Sequence, residues 1–244
     1  MTTTTHDNSR RDGWPGLAEA AAAGAGMVLL GLFAHRDPPL LVIAIGGLSL
    51  AAAAIGRAVL TSPSPLRLLG LWPVPQRTAF YALLGLALGL VGAAWYRYHL
   101  GWPLVPRAAR GFVLVAAAVG GAEELLYRGY IQGRLRRCFA APSPLVGEGR
   151  GEGAGVPVTW GRAAAAVALA AALHAGYKTA LFAWPPEGMA TDLALIATAT
   201  FLGGTAFGLL REASGSVWAA LAAHVAFDLA VYSEQTQAPW WVWS

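Results

Sequence analysis

The sequence predicts an all-α protein, a polytopic bundle of about seven membrane-spanning helices, and three observations carry that prediction. Hydrophobic residues make up 56% of the 244-residue chain and charged residues only 12%, where ordinary soluble domains carry about 25% charged residues. The apolar residues gather into runs close to the ~20 residues needed to cross a bilayer. Nearly all the arginines lie between those runs, where they act as topology signals rather than as a binding face.

The elements follow in order. Residues 1–16, MTTTTHDNSRRDGWPG, form a polar tail. Apolar runs then occupy 17–34, 40–60, 79–96, 109–134, 162–184, 190–210 and 216–233. The first run has some features of a secretory signal, and "SRR" some of a twin-arginine one. It ends in "HRDPP" without a small-x-small cleavage site, so it is expected to be a retained helix. Residues 17–107 hold the N-terminal transmembrane helices, and 108–233 hold a core of four further helices. The core is interrupted at 141–157 by APSPLVGEGRGEGAGVP, a Pro/Gly-rich flexible insertion. Its "GEGRGEG" has no preceding strand and no GK[ST], so it is not a phosphate loop. Residues 234–244 end in APWWVWS, a Trp-rich interfacial tail.

With seven spans, Arg10, Arg11, Arg57, Arg67, Arg77, Arg134, Arg136, Arg137, Arg150, Arg162 and Arg211 fall on one side. Arg36, Arg97, Arg107 and Arg110 fall on the other. The positive-inside rule makes the first side cytoplasmic, with the N-terminus inside and the C-terminus outside. The expected setting is a bacterial inner membrane, and the expected surroundings are lipid. The net charge of +4 and pI of about 9.6 do not indicate a nucleic-acid partner, because the basic residues sit at the ends of apolar runs. The single cysteine, Cys138, excludes an internal disulfide and a cysteine metal cluster.

Three of the apolar runs contain ionisable residues. The fourth carries Glu123, Glu124 and Arg128, the fifth His174 and Lys178, and the seventh His224 and Asp228. A charged side chain at the bilayer centre costs roughly 2.5–3.5 kcal/mol on insertion scales. These groups must therefore face one another or a wet cavity inside the bundle. Glu124 and Arg128 are four residues apart, on one helical face, and can pair. Glu123 lies about 100° round the same helix and points elsewhere. His224 and Asp228 share a face, and Lys178 lies one turn below His174. A carboxylate and two imidazoles around one water can activate it as a nucleophile, and imidazoles can stabilise the resulting oxyanion. The same Glu123, His174 and His224 can alternatively supply three ligands to a zinc ion, with a fourth position open. No HExxH is present to demand zinc.

The motif EELLYR, a histidine in the next apolar helix, and HVAFD after "REASGSVWAALAA" together resemble the CPBP family of intramembrane proteases. That family includes the CAAX prenyl endopeptidases and the bacteriocin-processing or immunity proteins. The resemblance covers roughly residues 108–232. It implies a glutamic-type, metal-free hydrolysis in which Glu123 is the base, helped by His174. Glu124 would pair with Arg128 and fix the helix. His224 and Asp228 would serve the oxyanion, with Asp228 orienting a cationic His224. The family's middle motif is Phe-x-x-x-His, whereas here Ala170 stands four residues before His174. The implied substrate is a membrane-anchored or C-terminally tagged protein. Two other classes fit the buried charges: a transporter or proton relay, and a catalytically silent scaffold.

Overall fold

The computed structural model describes residues 14–33, 39–72, 75–140, 160–185, 187 and 190–236. Most of the polar tail, the 141–157 insertion and the Trp-rich end lie outside those residues. The described chain is helical and has no strand. The helices are α1 (Trp14–Phe33), α2 (Pro39–Thr61), the short α3 (Pro65–Leu68), α4 (Pro75–His99), α5 (Phe112–Glu124), α6 (Gln132–Ala140), α7 (Trp160–Leu181), α8 (Leu193–Ser214) and α9 (Trp218–Tyr232). Leu125–Ile131, between α5 and α6, is a π-helical segment, so 112–140 is one continuous helical run. Each of the seven apolar stretches falls on a helix or on this run.

α1, α4, α7 and α8 are long and apolar enough to cross a membrane, and two stretches, Ile45–Thr61 and Trp218–Tyr232, are shorter apolar helices. The burial pattern is the reverse of a soluble protein's. Leu60, Leu83 and Leu202 are exposed, at 84%, 67% and 61%. Arg97, Glu124, Arg128 and Gln132 are fully buried. Such a surface is stable against hydrocarbon, where only paired polar groups are tolerated, and those pair best inside the bundle. The protein is an integral membrane protein.

Small residues set the helix spacing. Gly85 and Gly89 form a GxxxG pair on α4 and lie directly on the backbone carbonyls of Ala219 and Ala223 on α9, leaving no room for a Cβ. Such small faces let transmembrane backbones approach and gain packing contacts. α1 likewise lays Gly24 on Leu173 and Gly31 on the backbone of Tyr177 and Leu181. Helices of the first half thus pack directly on α7 and α9. The corner between α8 and α9 turns at Gly215, whose φ of 71° is the left-handed value that glycine adopts freely. Val217 N–H then bonds to Gly70 O at 2.9 Å, and the Arg211 guanidinium bonds to Leu68 O at 3.0 Å.

Two polar clamps close the bundle. Near one end, Glu19 of α1 accepts from Arg57 of α2, Arg134 of α6 and Tyr130 of the π segment. At another, fully buried Arg97 donates to Pro103 O at 2.5 Å, Ala230 O at 3.0 Å and Glu234 at 2.8 Å. Glu234 also accepts from the Arg107 N–H at 2.7 Å. These bonds, the one from Arg97 first, hold the Glu234 carboxyl below its ordinary value of 4.5. A lowered carboxylate value stabilises the fold above the ordinary value and loses that contribution as the pH falls through the lowered one. Glu234→Gln should therefore melt below wild type at neutral pH. The gap should narrow below pH 4.5 and close in stronger acid. Thermal unfolding against pH in detergent checks this.

Candidate active site

The buried ionisable groups meet where α5, the π segment, α7 and α9 come together. Adjacent positions on a helix diverge by about 100°, and the two glutamates accordingly serve different neighbours. Glu123 turns to α7. Its Oε2 is 3.1 Å from His174 Nε2 and its Oε1 is 2.7 Å from Lys178 Nζ. Glu124 turns to Arg128, 3.2 Å away one turn on, and to His224 Nδ1 of α9 at 2.8 Å. Arg128 also reaches across to His174 Nδ1 at 3.0 Å. Glu123, Glu124, Arg128, His174 and Asp228 are each at most 5% exposed.

These contacts fix the histidine tautomers. A guanidinium can only donate, so His174 Nδ1 accepts from Arg128 and its proton sits on Nε2. That Nε2–H then donates to Glu123. A neutral His174 is the form this geometry selects. At His224 the logic reverses, because the Glu124 carboxylate can only accept and Nδ1 therefore carries a proton. His224 Nε2 lies 3.7 Å from Asp228 Oδ2. That is within ion-pair range but too long for a hydrogen bond, which leaves Nε2 free toward a further partner.

Aromatic rings pack the imidazoles in place. Tyr127 stacks on His174 at 4.4 Å between centroids, and Phe207 lies 5.7 Å from His224. The position four before His174, where the family pattern has Phe, is the buried Ala170, and the stacked ring comes from Tyr127 instead. The two imidazole centroids are 6.4 Å apart. A cavity of about 10 Å³, room for about one water, opens beside Glu123 and is lined by Met27, Gly47, Leu48, Ala122, Leu126 and Tyr177 among others. Neither histidine lines it.

Glycines make room for the polar groups. A Cβ at Gly204 would stand 2.8 Å from the Arg128 guanidinium. A Cβ at Gly120 would collide with Asp228 Oδ2 and stand 3.1 Å from His224 Nε2. Gly120→Ala should therefore push the His224–Asp228 pair off α5, lowering turnover about 10-fold or more and costing roughly 1–3 kcal/mol of stability. Gly121→Ala, whose Cβ would meet only Leu221 at 4.0 Å, should behave as wild type. Turnover and thermal unfolding of the two variants check the pair.

The structure does not bring Glu123, His174 and His224 together as one ligand group. Among the described residues no three His, Cys, Asp or Glu side chains form a group able to hold a metal ion. The local reason is that both His174 nitrogens are engaged, and His224 Nδ1 faces Glu124 rather than Glu123.

An all-helical membrane bundle with a buried carboxylate–imidazole centre has the build of an intramembrane peptidase. A family model described as type II CAAX prenyl endopeptidase, Rce1-like, matches residues 105–230, just over half of the 244-residue chain. The chain belongs to that family, and so to the CPBP intramembrane proteases. Comparison with curated proteins and with solved structures found no match.

Proposed function

We propose that the protein is a glutamic-type intramembrane endopeptidase in which Glu123 activates water. The single observation that carries this reading is the placement of the Glu123 carboxylate. It is held by His174 and Lys178, and it borders a cavity with room for about one water. A carboxylate offers about four lone-pair positions, so two remain to accept from water. Glu123 takes a proton from that water, and the oxygen attacks the scissile carbonyl carbon. His224, charged and oriented by Asp228 and Glu124, faces the oxyanion with Nε2–H. Glu123 returns the proton to the leaving amine as the C–N bond breaks.

The substrate in this reading is a membrane-anchored or C-terminally tagged protein. The chain crosses a bacterial inner membrane seven times, with its N-terminus cytoplasmic. Arg57 and Arg134, both assigned to the cytoplasmic side, share Glu19, while Arg97 and Arg107 share Glu234. This grouping supports the topology. The test compares membrane-protein C-termini by mass spectrometry in cells making wild type, Glu123→Ala or His224→Ala protein. One shortened C-terminus that needs both residues, and survives chelator treatment of the purified enzyme, is the expected result. Identical termini in all three strains would refute the peptidase reading.

A further inference from the structure

α7 offers Glu123 more than its histidine. His174, Tyr177 and Lys178 stand at i, i+3 and i+4, which places them on one helical face. His174 and Lys178 both bond to Glu123. Tyr177 is fully buried, lines the cavity beside Glu123, and stacks on the His174–Tyr127 pair at 6.3 and 6.4 Å between centroids. Its hydroxyl faces the Glu123 carboxylate, yet it meets no hydrogen-bond partner within 3.5 Å among the described residues. A buried hydroxyl left short of its acceptor destabilises the fold unless a further group, such as a water, completes its hydrogen bonding.

We propose that Tyr177 is a further catalytic residue, whose hydroxyl holds the attacking water against Glu123. This rests on the peptidase reading above. A water in the cavity has two hydrogens to give. One goes to a Glu123 oxygen, where it becomes the transferred proton, and the other to the Tyr177 oxygen. Both hydrogens are then fixed, and a lone pair is left aimed at the carbonyl carbon. The tyrosine gains and loses no proton in the step. Tyr127 separates the two roles a buried tyrosine can play. It is equally buried and stacks more closely on His174, but no hydrogen bond ties its hydroxyl to Glu123 and it does not line the cavity.

The test compares wild type, Tyr177→Phe, Tyr127→Phe and Glu123→Ala in the same cells, with the substrate's shortened C-terminus as readout, and measures the melting temperature of each purified protein. Tyr177→Phe keeps the ring and its stacking. It should form the product about 10- to 100-fold more slowly while melting at or above the wild-type temperature. Tyr127→Phe should stay within about threefold of wild type, because its hydroxyl meets no water in this scheme. If Tyr177→Phe matches wild-type turnover while Glu123→Ala is inactive, the tyrosine proposal fails and the peptidase reading stands. A Tyr177→Phe protein that is slower and also melts lower has lost structure rather than a catalytic contact, which overturns the proposal. An equal loss in Tyr127→Phe overturns it too. If Glu123→Ala yields the wild-type product, both readings fall.

Discussion

Glu123→Gln should reduce turnover by about 10³-fold or more with little change in KM, and the protein should still fold. General acid–base catalysis by one side chain is worth about 10²–10⁴. In the proposed mechanism the same carboxylate takes the proton from water and returns it to the amine, so its loss removes both transfers. The amide keeps the shape, and its single oxygen can accept from His174 Nε2–H, which now approaches Glu123 at 3.1 Å, while its NH2 cannot accept from Lys178 Nζ, now 2.7 Å from the other carboxylate oxygen. What changes is charge. Lys178 loses its counter-ion, but its side chain is 21% exposed and can reach water or headgroups. The variant should therefore purify as a monodisperse protein with a near-normal melting temperature. Single-turnover and steady-state kinetics on the identified substrate check the prediction. A glutamine enzyme within tenfold of wild type would remove Glu123 from the role of base.

Arg128→Met should have the largest effect on stability. Arg128 is fully buried and binds both Glu124 and His174. Methionine fills much of the same space without the charge. Removing one partner of a buried ion pair costs about 3–5 kcal/mol, because the other charge is left unpaired. Glu124 retains His224, but that imidazole already faces Asp228 as well. For a chain of this size the melting temperature should fall by about 10 °C. His174 would also lose the donor that fixes its tautomer, so the surviving folded enzyme should be slow. The double variant Glu124→Gln, Arg128→Met tests the cause. It removes both charges, so it should recover much of the lost stability without recovering turnover. A double variant that melts as low as the single one would show that Arg128 acts through packing, including its contacts with the Phe207 and Tyr127 rings.

The sequence shows some of this directly and hides the rest for identifiable reasons. The Glu124–Arg128 pair is legible because it lies within one helix, where a spacing of four fixes the neighbour. The divergence of Glu123 from Glu124 is legible for the same reason. Spacing alone cannot assign Glu123 to Lys178 or Arg128 to His174, because those contacts cross between helices and depend on how α5 and α7 rotate against each other. The π segment at Leu125–Ile131 leaves no mark in the hydropathy pattern, since one wider turn does not change which residues are apolar. The fourth apolar run ends at 134, but its helix continues to Ala140. The arginines there read as a loop in sequence; in the fold Arg134 is held by Glu19 and Arg137 donates to Ser62. Gly120 and Gly204 were unremarkable among 30 glycines. Only the coordinates reveal that each faces a charged side chain.

The seating of α4 on α9 has a consequence for where this protein ends as a working unit. The part resembling other peptidases begins at residue 105, yet the helix bearing His224 and Asp228 has its backbone pressed against Gly85 and Gly89, upstream of that boundary. Trimming the polypeptide to the recognisable half would expose a flat alanine strip to lipid and leave those two side chains on a helix that has lost its most extensive neighbour. The least familiar region of the chain is, mechanically, a wall of the reaction chamber.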